Sequence, residues 1–377
     1  MNCSAQSHRF IVLWLLASVA LSACTSMGSR NVPRDRFNYN AAIAQSTNEQ
    51  MLLNIVRLRY LELPGFLSVN SVITNYSYDG KVGTDKTWAD GNSDVVPDIL
   101  RGSANLAYAE RPTITYAPLE GQDFSRRLLK PIPVDVIFSL SQAGWPMDIL
   151  LAITLQRINN LENMGFGQVP APGDLDRAQQ YAEEERKLTN YQRVLQLLLR
   201  LGRAGAIEVQ RSEKDHGDTP YLHFARDVSP DIQRLIDELK AVLELSPSLD
   251  AYRITERMTG RKADEITLQS RSLLAIMSFL SRGIDVPMND KLNSRVVVLP
   301  EATEQKILEQ LPLRIHSQKD QPDDPYVAVK YRDYWFYIDH ADIRSMRTFA
   351  TMQVLFQLQA PSGGTAAPLL TLPTGGG

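Results

Sequence analysis

The stretch 326-YVAVKYRDYWFYIDHADIRSMRTFATMQVLFQLQ-359 contains both kinds of element from which this chain is built. Its first half crowds Tyr331, Tyr334, Trp335, Phe336 and Tyr337 among β-branched residues, a composition that suits a pleated, half-buried surface. Tyr331-Arg332-Asp333-Tyr334 at its centre predicts a hairpin closed by a four-residue turn. Strand alternation puts Tyr334 and Phe336 on one face and Trp335 and Tyr337 on the other. Beyond Asp339 the apolar residues change period: Ile343, Met346, Phe349, Met352 and Phe356 recur at helical spacing, predicting a helix over 341–359 that packs on the hairpin.

Outward from there the same two periods alternate along the chain. Helices are predicted over 40–60, 134–140, 147–161, 174–201, 230–243 and 269–282, several with clear punctuation, such as Ser229-Pro230 at a start and Gly283 at an end. Strands are predicted over 66–78 and 104–116, as a hairpin at 206–209 and 221–224, and over 250–256, 264–268 and 296–299. Residues 79–103, rich in Asp, Gly, Asn and Ser, are expected to form a long connection, either a solvated insertion or a loop with a functional or disordered reason for its length. The resulting fold class is α+β: two packed subdomains, 37–162 and 174–359, with short antiparallel strands or hairpins and about seven helices. A tail over 360–377 is expected to be disordered on composition.

Composition removes whole classes of chemistry. Forty basic against 43 acidic side chains give a net charge of −3, so no global attraction to nucleic acid is available and none is expected as a partner. The chain has two cysteines, Cys3 and Cys24, so the body beyond them has no thiol for a disulfide, a zinc site or a nucleophile.

Both cysteines lie in an N-terminal segment with its own logic. Residues 10–23 (FIVLWLLASVALSA) carry no charge and follow Arg9. As a helix they rise about 21 Å, short of the roughly 30 Å hydrocarbon core, which favours a signal peptide over a membrane span. Leu21-Ser22-Ala23-Cys24 resembles the lipobox of bacterial lipoproteins, in which the chain is cut between Ala23 and Cys24 and the cysteine is acylated. The resemblance implies a signal peptide over 1–23, a lipid anchor on Cys24 and a flexible tether over 24–36. Thr25 stands where lipoproteins retained in the inner membrane often carry Asp, which points to the outer membrane; a periplasmic face is the expected orientation, with the cell surface as the alternative.

No HExxH, GxSxG, SxxK, Walker loop or GxGxxG occurs, and no catalytic residue, metal ligand or cofactor is assigned. His216 falls in a charged loop, and His223 and His316 stand alone in strand-like surroundings. The acidic triplet Glu183–Glu185 points around a helix and suits a solvated face. In Asp339-His340-Ala341-Asp342, Asp339 is expected to cap the following helix and Asp342 to favour its positive end, a simpler account than a metal site. Arg332, Trp335 and Tyr337 form the candidate binding surface, because such residues dominate interface energetics when they are exposed.

RDRFNYNAAIAQSTNEQMLLNIVRLRY, QAGWPMDILLAITLQRINNLEN and YRDYWFYIDHADIRSMRTFATMQVLFQLQ together resemble parts of an uncharacterised group of proteobacterial lipoproteins, over most of residues 34–359. That resemblance carries no activity with it. The expected function is therefore a non-catalytic interaction or assembly component of the bacterial envelope, anchored in the outer membrane and joined to an envelope protein. The alternative is a cell-wall glycan-binding module or hydrolase working through the aromatic hairpin 326–338. Lipid carriage, a third reading, requires a large apolar cavity.

Overall fold

The computed structural model describes residues 27–86, 100–163, 175–212, 219–256, 262–298 and 301–359. The expected signal peptide, Ala23, Cys24, His216 and the tail lie outside them. The fold is α+β, with ten α-helices and three sheets among the described residues. The seven predicted helices are present. Three short ones join them, Gln122–Leu129, Met288–Leu292 and Glu301–Gln310.

The chain divides into two compact units, and the boundary is not the expected one. Residues 65–123 form one unit and residues 1–64 with 124–377 the other, which replaces the division between 37–162 and 174–359. The reason is a long-range strand pairing. Helix α1 (Met27–Arg59) precedes the small unit, a ribbon of β1 (Phe66–Lys86) and β2 (Leu100–Leu119). After α2 (Gln122–Leu129), α3 (Val134–Gln142) and α4 (Met147–Thr154) the chain enters β3 (Leu155–Ile158) and β4 (Leu161–Glu162). Beyond α5 (Leu175–Arg203) follow β5 (Ile207–Ser212), β6 (Thr219–Phe224), α6 (Pro230–Val242), β7 (Ala251–Thr255) and β8 (Glu265–Ser270). These six strands make one sheet in the order β4-β3-β8-β7-β6-β5, so both expected subdomains share it. All its neighbours are antiparallel except β7 and β8.

The remaining elements are α7 (Leu273–Leu280) with a 3₁₀ turn at Ser281–Gly283, α8 (Met288–Leu292), α9 (Glu301–Gln310), β9 (His316–Gln318), β10 (Val327–Tyr331), β11 (Tyr334–Ile338) and α10 (Ile343–Gln359). Val296–Val298, expected as a strand, is not one. The half of α1 nearest its C-terminus buries Met51, Leu52, Ile55 and Val56 against β10, α7 and the 3₁₀ turn. Gly283 sits where a Cβ would fall 2.1 Å from the Leu313 carbonyl oxygen; the close approach of that backbone, as well as the end of a helix, excludes a side chain there.

Other local expectations are corrected too. Residues 27–36, expected within the tether, are helical: once the buried half of α1 is formed, further residues extend it by one hydrogen bond each, except Pro33, which has no N–H to donate. The expected helix 147–161 stops at Thr154, and Leu155 begins a strand paired with Ser270. Arg271 enforces that break. Its guanidinium, 2% exposed, donates to the carbonyls of Ile153 (3.2 Å), Leu155 (2.8 Å) and Asn163 (2.7 Å), groups stranded by the end of α4 and the sharp β3–β4 reversal. Asn163 Nδ2 takes Ala152 and Leu155 at 2.7 and 2.9 Å, and the Arg271 guanidinium lies 4.0 Å from the Phe279 ring centroid.

Burial lowers the Arg271 pKa to about 10, which leaves the group a cation at neutral pH. Replacing Arg271 by Met, or by Lys, whose point charge lacks the planar fork, is expected to lower unfolding stability by about 3 kcal/mol through orphaned buried carbonyls. Denaturant titration checks this, and a loss below about 1 kcal/mol, the scale of an ordinary hydrogen bond, contradicts the assignment.

Candidate functional site

The aromatic stretch forms a hairpin with the expected register: Tyr331 pairs with Tyr334, Val329 with Phe336 and Val327 with Ile338, and β9 adds a third strand on the β11 edge. The two faces differ as alternation predicts. Val327, Phe336 and Ile338 are core, whereas Trp335 and Tyr337 lie half-buried on the opposite face, aligned with Gln318 and His316.

Arg332 does not join them. It occupies the turn with φ 53°, a left-handed conformation that costs an L-residue energy unless its surroundings hold it. The holding contacts are on the core side. The guanidinium stands 4.9 Å from the Tyr60 ring centroid and 5.2 Å from that of Tyr331, and donates to Glu62 Oε1 at 3.1 Å. Tyr331 donates to the same oxygen at 2.6 Å, the main reason the Glu62 carboxyl is held below its ordinary range; burial, with Glu62 reinforcing it, raises the Tyr331 phenol to about 12. Tyr60 in turn donates to Asp290 Oδ2 at 2.7 Å, and Asp290, 1% exposed, is paired with Arg295 at 2.8 Å. Burial and that carboxylate raise the Tyr60 phenol far above its ordinary value. The expected surface of Arg332, Trp335 and Tyr337 is thus divided: Arg332 fastens the hairpin to the end of α1, and only Trp335 and Tyr337 share a face.

His316 does not stand alone. Its ring lies 5.5 Å from that of Tyr337, and Nδ1 is 3.1 Å from Asp285 Oδ2. Arg314 binds the same carboxylate through Nε (3.2 Å) and Nη2 (2.8 Å), and the Asp285 backbone accepts from Ser317 Oγ at 2.6 Å. Burial works against the charged form of Asp285, but the His316 hydrogen bond and the Arg314 charge outweigh it and hold its carboxyl below the ordinary aspartate range. A histidine oriented by an acid is half of a general-base arrangement. Here Arg314 binds the same acid, and the three side chains together tie residue 285 to the start of β9. No cluster of His, Cys, Asp or Glu suited to a metal occurs among the described residues. In the Asp339–Asp342 segment the roles are exchanged from those expected: Asp342 Oδ1 accepts from the Ser345 N–H at 3.0 Å and caps α10, while Asp339 Oδ1 accepts from the Ala341 N–H at 2.8 Å within a local turn.

A second feature had no local signal in the sequence. A cavity of 580 Å³ lies between the six-stranded sheet and helices α3, α4 and α5, walled by Phe138, Leu151, Leu198, Leu222, Ile266 and Leu268 among others. Its charged lining residues, Asp148, Arg203, Glu208 and Arg347, are exposed. Close-packed interiors do not leave apolar voids of that size, which falls within the roughly 300–1,000 Å³ of ligand pockets.

No protein-family profile, curated protein or solved structure matches this chain.

Two measurements check the site. Arg332→Ala is expected to cost about 1–2 kcal/mol through the lost ring contacts and the left-handed φ, and Arg332→Gly less, because glycine tolerates that φ; denaturant unfolding ranks them. Because Asp285 is held below its unfolded pKa, its contribution to stability is complete above the ordinary aspartate range and disappears as pH falls through the lower folded value. Asp285→Asn is expected to lower stability at neutral pH and to flatten the acid limb of the stability–pH curve.

Proposed function

We propose that this chain is a non-catalytic assembly component of the bacterial envelope, held to the outer membrane through Cys24 and engaging its partner through the β1–β2 ribbon. The observation that carries the reading is the ribbon itself. It is a unit of its own, and its sheet has only two strands, paired from Phe66↔Leu119 to Lys86↔Leu100 with one bulge between Val69 and Ser71. Two-stranded ribbons are at best marginally stable in water, and each strand here has an outer edge without a β-partner among the described residues. Leu67, Ile73, Ile114 and Tyr116 are exposed along it. Such a structure is suited to being completed by another chain. The anchor rests on the lipobox resemblance alone.

The cavity favours a second reading, carriage of an apolar ligand such as a single-chain lipid. Displacement of a fluorescent fatty acid from the purified protein tests it, and a Leu268→Trp variant, which fills the cavity from the sheet, should abolish the signal.

For the first reading, a photo-crosslinking amino acid at Tyr116 in intact cells is expected to trap a discrete protein adduct, while the same group at exposed Leu358 on α10 is not. Equal labelling at both sites, or none at Tyr116, removes the ribbon from the reading. Cys24→Ser is expected to move the protein from the membrane pellet to the soluble fraction, and retention in the pellet contradicts the anchor.

A further inference from the structure

The β1–β2 register separates the ribbon into two unlike faces. From Val72 to Thr84, the positions 72, 74, 76, 78, 80, 82 and 84 are Val, Thr, Tyr, Tyr, Gly, Val and Thr. The β2 positions opposite them, 114 back to 102, are Ile, Pro, Glu, Tyr, Leu, Ala and Gly. Glu110, opposite Tyr76, is the one charged residue among these fourteen positions. The other face carries Asp79, Lys81 and Asp85 on β1 with Arg101 and Arg111 on β2, and Ser, Asn, Ala and Thr at most positions between. A polar face and an apolar face are ordinary where a sheet packs on a core, but here the sheet is two strands in a unit of its own.

The spacing of charges on the apolar face is the second observation. Glu110 marks one end of an uncharged stretch and Lys86, opposite Leu100, marks the other; between them lie positions 77–85 and 101–109, nine residues on each strand. About 9–11 tilted residues is the length a strand needs to cross the hydrocarbon core of a bilayer. Tyr78 and Tyr108 are paired next to the Glu110 end, the level at which transmembrane strands carry their aromatic girdle. The third observation is charge complementarity along the edges. Positions 85 (Asp) and 101 (Arg) stand opposite each other in the register, and β1 of one copy laid beside β2 of the next in that same register would set the same opposite charges side by side.

We infer that copies of this chain join their β1–β2 ribbons edge to edge, β1 against β2 of the next copy, into a closed barrel that crosses a bilayer with its apolar face outward and its polar face lining a pore. Closure is the one arrangement that removes both open edges of every copy, and a bilayer accepts only a closed barrel because each unpaired backbone group in hydrocarbon is costly. Pro112, which lacks an N–H, lies beyond Glu110 and outside the nine-residue span, where water can satisfy the missing rung. The inference rests on the assembly reading above and specifies its partner as a second copy.

The chain's lack of other cysteines makes the test clean. In the full chain carrying Cys3→Ser and Cys24→Ser, one preparation bears Ile73→Cys and others bear Arg111→Cys, Thr113→Cys or Thr115→Cys. Intramolecular bridging is then excluded, and oxidation after mixing on vesicles of phosphatidylethanolamine and phosphatidylglycerol is expected to give crosslinked dimers in at least one mixture but in no preparation alone. The same vesicles loaded with a self-quenching dye are expected to release it with the parent chain. Val82→Asp, on the apolar face, is expected to abolish release while leaving the thermal unfolding of the body unchanged; Ser103→Asp, on the polar face, preserves release. Crosslinking without release overturns the barrel and leaves the assembly reading intact. Absence of crosslinks in every mixture, with a discrete adduct still found at Tyr116, overturns pairing between copies and assigns the ribbon to a different protein. Absence of both overturns the two readings together.

Discussion

The larger unit is held together where Arg271 meets the end of α4. A helix that runs directly into a strand leaves carbonyls with no intrahelical partner, and a tight reversal after that strand adds more. In this protein a single guanidinium, buried against Phe279, collects those carbonyls from Ile153, Leu155 and Asn163. Arg271 is itself fixed at the end of β8, with its N–H on Thr154 and its carbonyl accepting from Ile132. One residue thus joins α4, β3 and the loop before α3. This lets strands separated by about a hundred residues of chain form one sheet. Without those bonds, desolvating the guanidinium would be a pure cost; with them, the charge becomes a structural pin.

Around that sheet the remaining elements solve a related problem, how to bury polar groups without leaving them unsatisfied. Tyr60, Asp290 and Arg295 form one chain of hydrogen bonds, and Glu62, Tyr331 and Arg332 form another beside it, so the end of α1 is tied both to α8 and to the aromatic hairpin. Asp285, Arg314 and His316 do the same for β9. These networks resemble sites in their residue types, yet each acid is already matched by a base, as expected of a frame that positions other surfaces. The surfaces it leaves are the Trp335–Tyr337 face, the apolar cavity and, as a unit apart, the ribbon.

In the ribbon, strand pairing overrides local propensity. Residues 79–86 and 100–103 contain Asp, Gly and Lys, whose low strand propensity predicts a loop. Strand propensity is mainly a measure of fit to a half-buried surface. In a ribbon with one polar face, charged and small residues at alternate positions are what alternation demands. The signal was therefore present in the sequence, but as a period of two through polar residues and not as a run of β-formers. For the hairpin at 326–338 the same period was plain, because both faces carry aromatics.

By itself the sequence determined the α+β class, seven of the helices, the register and turn of the aromatic hairpin, and the start of α6 at Ser229-Pro230, since all of these follow from periodicity and backbone chemistry over a few neighbouring residues. Tertiary structure decided the rest. It ended α4 at Thr154, placed β3 beside β8, gave His316 its acid, turned Arg332 toward Tyr60 and opened the cavity over the sheet. Each of these depends on residues far apart in the chain meeting in space, and a buried polar group finds its partner only once the fold has excluded water from both.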